Sequence, residues 1–166
     1  MKIFISGLPR TGKTTLCKEI YEKYKEKIKI SGFLTLEKRD GNKRDGFEIF
    51  ELKNKKLYLF ASREKISNIC YAGYYLNLEV LEKVIEEVKD ADLVIIDEIG
   101  KMEMMSQKFS SFINSLIKSD KNLLATLHRS FINNFKNFGK IYWLTRENYN
   151  QVLNEIENQI NKIMGR

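Results

Sequence analysis

The stretch Gly7–Thr14 reads GLPRTGKT: a glycine, four intervening residues, then Gly-Lys-Thr. Those residue types at that spacing suit the holding of a polyphosphate. Glycines at 7 and 12 let the backbone turn where a Cβ would collide. The loop's N–H groups can then point inward, with the positive end of a following helix behind them. The ammonium of Lys13 can reach β- and γ-phosphates, and the hydroxyl of Thr14 can ligate Mg²⁺. The flanks agree with this chemistry. Ile3-Phe4-Ile5 is strand-like and a helical pattern follows, so a strand feeds a tight loop that feeds a helix.

A second set of chemically capable residues lies far downstream. The apolar run Leu93-Val94-Ile95-Ile96 ends in Asp97-Glu98. On its own an acid pair after a strand is as readily a helix cap. Combined with a phosphate-binding loop it is a Walker B arrangement. Asp97 would hold Mg²⁺ or one of its waters, and Glu98 would polarise a water for attack on the γ-phosphate. Charge developing on that phosphate calls for an arginine, and Arg10, Arg44, Arg129 and Arg146 are the candidates. Thr126 and His128 could sense the γ-phosphate from the end of another strand. A structural histidine is the plainer reading of His128. No Asn-Lys-x-Asp guanine-reading motif occurs; the polar residues of Thr145-Arg146-Glu147-Asn148 are the remaining candidates for a base contact.

These residues need an α/β frame. Lys2 to Ser6 reads as a buried strand. Leu16, Ile20, Tyr24 and Ile28, with Cys17 and Tyr21 beside them, give one apolar face at helical period. From Gly32 to about Tyr75 the pattern becomes antiparallel: three strand-like runs separated by turn signals at Asp40-Gly41-Asn42 and Asn54-Lys55-Lys56. Helix returns over Asn77–Asp90, with a stripe of Leu78, Leu81, Val84, Ile85 and Val88. The run Leu93–Ile96 is apolar at every position, as in a strand covered on both faces. Met105, Phe109, Phe112, Ile113 and Leu116 mark another helix. Leu123–Leu127 and Ile141–Leu144 read as further strands, and Val152, Leu153, Ile156, Ile160 and Ile163 as a closing helix ended by Gly165.

The chain's 166 residues, 43% of them apolar, suit a single domain, residues 1–166. No stretch is long and apolar enough for a membrane span, and the short N-terminal apolar run is unlike a signal peptide, so a cytoplasmic protein without a membrane partner is expected. Two cysteines and one histidine make a zinc site improbable. The net charge of +7 permits nucleic-acid binding. Interspersed lysine and glutamate, as in YEKYKEKIK, instead describe solvated helix faces.

At this point the chain resembles a known family, the thermophile-type nucleoside-triphosphatases, P-loop enzymes related to the cancer-related nucleoside-triphosphatase. The resemblance rests on GLPRTGKTTL at 7–16, SGFLTLEKR at 31–39, RDGFEIFEL at 44–52, AGYYLNL at 72–78, VIIDEIGKME at 94–103, LLATL at 123–127 and YWLTREN at 142–148. It implies a RecA-like P-loop fold: a mainly parallel sheet flanked by helices, with an inserted antiparallel section. In that fold the strand Leu123–Leu127 lies between the P-loop strand and the Walker B strand. It implies Mg²⁺-dependent hydrolysis of nucleoside triphosphates (ATP, GTP, CTP and UTP) to diphosphate and phosphate. It also implies two nucleotide-contacting segments: Gly7, Leu8, Pro9, Arg10, Thr11, Gly12, Lys13 and Thr14, and Leu93, Val94, Ile95, Ile96, Asp97, Glu98, Ile99 and Gly100. Within them Lys13 and Glu98 are the expected catalytic residues, and Thr14 and Asp97 the expected Mg²⁺ ligands. One departure is Arg10, where many such loops carry glycine. A small P-loop nucleotide or nucleoside kinase is the alternative, with the basic turn from Lys38-Arg39 to Lys43-Arg44 as a phosphate-covering lid. A nucleic-acid-binding ATPase is a third reading without a recognition motif behind it.

Overall fold

Strand β1 (Lys2–Ser6) sets the geometry of the molecule. Its Phe4 side chain joins one hydrophobic core and those of Ile3 and Ile5 join another. The same alternation runs through β7 (Leu93–Ile99) and β8 (Leu123–Leu127), so these strands are buried on both faces. That burial is why each carries an unbroken apolar run, Ile3–Ile5, Leu93–Ile96 and Leu123–Ala125.

The computed structural model describes residues 1–165. Its strands form one nine-stranded sheet in the order β5-β6-β4-β3-β2-β7-β8-β1-β9. Strand β9 is Lys140–Trp143. From β7 to β9 all pairings are parallel, and β8 lies between β7 and β1 as expected. Helices α1 (Lys13–Tyr24) and α5 (Tyr149–Ile163) cover one face, through Leu16, Ile20, Val152 and Ile156 among others. Helices α2 (Leu78–Glu86), α3 (Gln107–Lys118) and the short α4 (Ile132–Phe135) cover the other. The result is the helix–sheet–helix layering that parallel sheets require.

The antiparallel section extends this sheet. Strand β2 (Ile30–Asp40) pairs parallel with β7 over Ile30–Phe33 and antiparallel with β3 (Lys43–Glu51) over the rest of its length. Strand β4 (Lys56–Ser62) continues the meander, and a hairpin of β5 (Cys70–Tyr71) and β6 (Tyr74–Leu76) closes the edge. That last hairpin turns at Ala72-Gly73, both with positive φ, and its strands are too short to show a period.

Several helical boundaries differ from the sequence reading. Helix α1 stops at Tyr24, short of Ile28, and α2 stops at Glu86, with Asp90 beyond it in the left-handed region. Val80 is in the core of α2, while Leu78 and Ile85 pack at its margin. Met105 precedes α3 in a single 3₁₀ turn (Glu103–Met105) and is exposed. Helix α3 begins after it because the Ser106 hydroxyl caps the turn, accepting from the Phe109 amide at 3.1 Å. Among the described residues no helix is long and apolar enough to cross a membrane.

Because β1, β7 and β8 run parallel, the loops that leave their carboxyl ends share one rim of the sheet. Ligands of open α/β sheets bind along that rim.

Candidate active site

The loop from Gly7 to Gly12 joins β1 to α1. Gly7 and Gly12 have φ of 152° and 100°. A Cβ on Gly7 would stand 2.7 Å from the Leu144 carbonyl oxygen, and one on Gly12 would stand 3.1 Å from the Tyr149 ring. Both positions therefore need glycine for conformation and for space. Arg10 occupies the left-handed region at φ 63°, the conformation that glycine adopts more readily. Its side chain is exposed and lines the cleft. Thr11 Oγ1 donates to the Leu8 carbonyl (2.9 Å), which tightens the turn. No side chain caps α1, so its first amides face the loop. Lys13 Nζ lies 3.1 Å from the Gly7 carbonyl oxygen and 3.0 Å from that of Leu8. Burial pulls its pKa down, opposed by the carboxylates of Glu98 and Asp97 nearby.

Strand β7 delivers the acids to the same rim. Leu93, Val94, Ile95, Ile96 and Ile99 are completely buried, so they act as core and carry Asp97 and Glu98 to the site without lining it. Of the run expected to contact nucleotide, Asp97 and Glu98 are the residues that line the cleft. Leu8 and Thr11 likewise do not line the cleft. Asp97 is 2% exposed. Its Oδ1 accepts from Thr126 Oγ1 at 2.6 Å, and its Oδ2 from the Thr35 amide at 3.4 Å. Burial pushes its pKa up; the hydroxyls of Thr126 and Thr14 and the ammonium of Lys13 favour the anion. Thr126 is thus a support behind Asp97, not a sensor in the cleft.

An open cleft of about 450 Å³ joins these parts. Gly7, Gly12, Lys13 and Thr14 meet Asp97 and Glu98 across it, with Thr35, Glu37 and Phe47 from the β2–β3 hairpin and His128-Arg129 after β8. The hairpin residues were missed because nothing in SGFLTLEKR marks Thr35 or Glu37 as facing a site. Of the four arginines, Arg10, Arg44 and Arg129 line the cleft. Arg146 reaches the loop from outside, donating to the Arg10 carbonyl at 3.4 Å. Arg44 pairs with Glu37 at 2.7 Å and stacks on Phe47. Thr145 and Asn148 bond to each other in a turn, Asn148 Oδ1 accepting from the Thr145 amide at 2.7 Å, which removes those atoms from base reading.

The donor set suits a hard cation that takes few protein ligands. Among the described residues no group of three or more His, Cys, Asp and Glu side chains could hold a metal. The Thr14 hydroxyl and the buried Asp97 carboxylate side by side are oxygen ligands of the kind Mg²⁺ uses together with phosphates.

Two further carboxyls are perturbed. Burial and the neighbouring Asp97 raise the Glu98 pKa to about 7. Burial and the neighbouring Glu98 raise that of Glu103 to about 8. An unfolded glutamate titrates near ~4.3, so between about pH 5 and 8 the folded chain holds a proton at Glu103 that the unfolded chain has released. Stability should therefore fall as pH rises through that window, by up to roughly 4 kcal/mol for this group. Urea unfolding at pH 5 and pH 8.5 should show the midpoint dropping in the wild type, and a smaller drop in Glu103→Gln, the remainder coming from Glu98, whose raised pKa titrates through the same window. Equal drops in both would assign the slope elsewhere.

Comparison with known proteins bears on this site. A family model described as NTPase matches residues 2–157. The nucleoside-triphosphatase THEP1 of Methanocaldococcus jannaschii is 47% identical over 96% of this chain and 97% of its own length. That of Pyrococcus abyssi is 37% identical over 100% of this chain and 96% of its own. The crystal structure of THEP1 from Aquifex aeolicus superposes with a TM-score of 0.78 at 31% identity, covering 94% and 96% of the two chains. The solution structure of a human cancer-related nucleoside triphosphatase gives a TM-score of 0.77 at 26% identity, covering 97% of each.

Proposed function

The chain belongs to the NTPase family, and from that premise we propose that it hydrolyses nucleoside triphosphates to the diphosphate and inorganic phosphate with Mg²⁺. The observation that carries the reading is the convergence of Lys13, Thr14, Asp97 and Glu98 on one cleft at the carboxyl rim of the sheet.

The amides of the 7–12 loop and the first turn of α1 bind the phosphate oxygens, and Lys13 neutralises them. Thr14 and Asp97 would hold Mg²⁺, which supplies charge stabilisation on the β- and γ-phosphates when bound. Glu98 orients a water on the far side of the γ-phosphorus and accepts its proton. The water oxygen bonds to phosphorus as the bond to the β–γ bridging oxygen breaks, and the diphosphate departs. A carboxylate whose pKa lies near 7 is matched to that proton transfer at neutral pH. Arg10, Arg44 and Arg129 line the cleft and are the candidates to meet the charge that develops on the γ-phosphate oxygens.

Phosphate release from ATP, GTP, CTP and UTP, each with Mg²⁺ and with excess EDTA, tests the proposal. Release from every triphosphate without an added acceptor, and its loss in EDTA, is the expected result. A strict need for an acceptor would favour phosphoryl transfer to a second substrate. No release under any of these conditions would end the hydrolytic reading.

A further inference from the structure

A second cleft opens at the other rim of the sheet, where β2 begins. Its volume is about 460 Å³, close to that of the first cleft, and the two share no lining residue. Three segments wall it: the turn that leaves α1, the turn between β3 and β4, and the loop that leaves α2. Each brings lysine. Lys25 and Lys29 come from the first, Lys53 and Lys55 from the second, and Lys89 from the third. Two acids, Glu26 and Asp90, stand among them. Lys25 is paired with Glu22 at 2.6 Å and Lys53 with Glu87 at 3.8 Å. Among the described residues Lys29, Lys55 and Lys89 form no salt bridge.

Exposed lysines alone describe a solvated face. The floor of this cleft sets it apart. Ser31, the second residue of β2, lines it at 1% exposure, and among the described residues its hydroxyl has no hydrogen-bond partner. The other buried serines and the buried threonine are all engaged: Ser6 with the Leu127 carbonyl, Ser62 with the Glu64 amide, Ser106 with the Phe109 amide and Thr126 with Asp97. A buried hydroxyl without a partner is costly, and such groups are rare in folded proteins. This one needs an acceptor, and the lysines around it select an anionic acceptor. The edge of the cleft is already fixed. The Lys29 amide donates to Asp92 Oδ2 and the Lys29 carbonyl accepts from the Asp92 amide, both at 2.8 Å.

We propose that this cleft binds a small phosphate-bearing anion, with the Ser31 hydroxyl donating to a phosphate oxygen and Lys29, Lys55 and Lys89 neutralising the charge. Phosphate oxygens accept from a hydroxyl and several ammonium groups at once, which matches this donor set. A nucleic-acid strand would track a stripe of exposed cations, whereas the unmet donor here is one point on the floor between three walls. The proposal does not rest on the chemistry at Lys13 and Glu98.

Amide NMR of the ¹⁵N-labelled protein reads the two clefts separately. One equivalent of ADP with Mg²⁺ is added first, and movement of the Gly7–Thr14 amides reports on the nucleotide loop alone. Pyrophosphate, further ADP and a short oligothymidylate are then titrated in parallel at constant ionic strength. Pyrophosphate should give saturable shifts at the amides of Lys29, Ser31 and Ala91, with half-saturation below about 1 mM. Tighter binding of ADP at these amides would assign the site to a nucleotide, and tighter binding of pyrophosphate to the inorganic ion. Ser31→Ala should weaken binding by roughly tenfold, as for a lost hydrogen bond to a charged group, yet melt no lower than the wild type because the hydroxyl has no partner in the fold. The double variant Lys29→Gln/Lys89→Gln, changed only on the surface, should weaken binding at least as much. Shifts that do not saturate by about 10 mM would overturn the proposal. So would wild-type affinity in Ser31→Ala, a clearly lower melting temperature in that variant without anion, or binding of the oligothymidylate alone.

Discussion

Lys13→Ala should lose nucleotide binding and turnover together, with kcat/KM down by roughly 10³-fold or more. The cleft also offers the loop amides and Arg10, Arg44 and Arg129, but Lys13 is the cation seated against the loop's own carbonyls. The cleft contains the carboxyls of Asp97 and Glu98 and no other lysine among its lining residues. At the effective dielectric of such a site, a charge about 4 Å from a phosphate is worth roughly 4 kcal/mol, which is about three powers of ten. The ammonium already stands at the mouth of the loop, held by the carbonyls of Gly7 and Leu8. Little reorganisation is needed for it to turn to a phosphate oxygen. Arginine should not restore function, because its planar fork does not fit a pocket shaped for a compact point charge. Titration of a fluorescent nucleotide into Lys13→Ala, beside a phosphate-release assay, separates the two losses. Native affinity in that variant would sink the assignment of the loop.

The parts legible in the sequence are those where one residue type answers one physical demand. Gly7, Gly12 and Lys13 could be assigned because only glycine fits the φ and the space, and only a lysine there reaches phosphates. The strands β1, β7 and β8 could be read because burial on both faces forces unbroken apolar runs. Where several answers meet the demand, the sequence was silent. The β5–β6 hairpin is too short for periodicity, and its place at the sheet edge depends on pairing with β4. The supports of Asp97, namely Thr35 and Thr126, come from two other strands and acquire their roles only through register. The apolar run Leu93–Ile96 is legible as a buried strand, and its complete burial makes it the lever that positions the acids.

Glu98→Gln should keep nucleotide and lose most of the chemistry, with kcat down by roughly 10²- to 10⁴-fold, the usual worth of a positioned base. The amide matches the carboxylate in shape, so β7 and the cleft should be undisturbed. It also removes an acid from beside the phosphates, so affinity should hold or tighten. This separates it from Lys13→Ala, where binding and rate fall together. The pH profile separates the two further. The base works only as the anion, and burial with Asp97 beside it raises its pKa to about 7. In the wild type, kcat should therefore fall as pH drops through that region, and Glu98→Gln should lack this acid limb. Asp97 does not replace it: its carboxylate is engaged by Thr126 and Thr35 and turned toward Thr14. Thus a Glu98→Gln enzyme that binds ATP tightly, turns over slowly and shows no acid limb is the signature of a water activated by this side chain. An unchanged acid limb would trace the titration to another group and leave Glu98 with a role in binding alone.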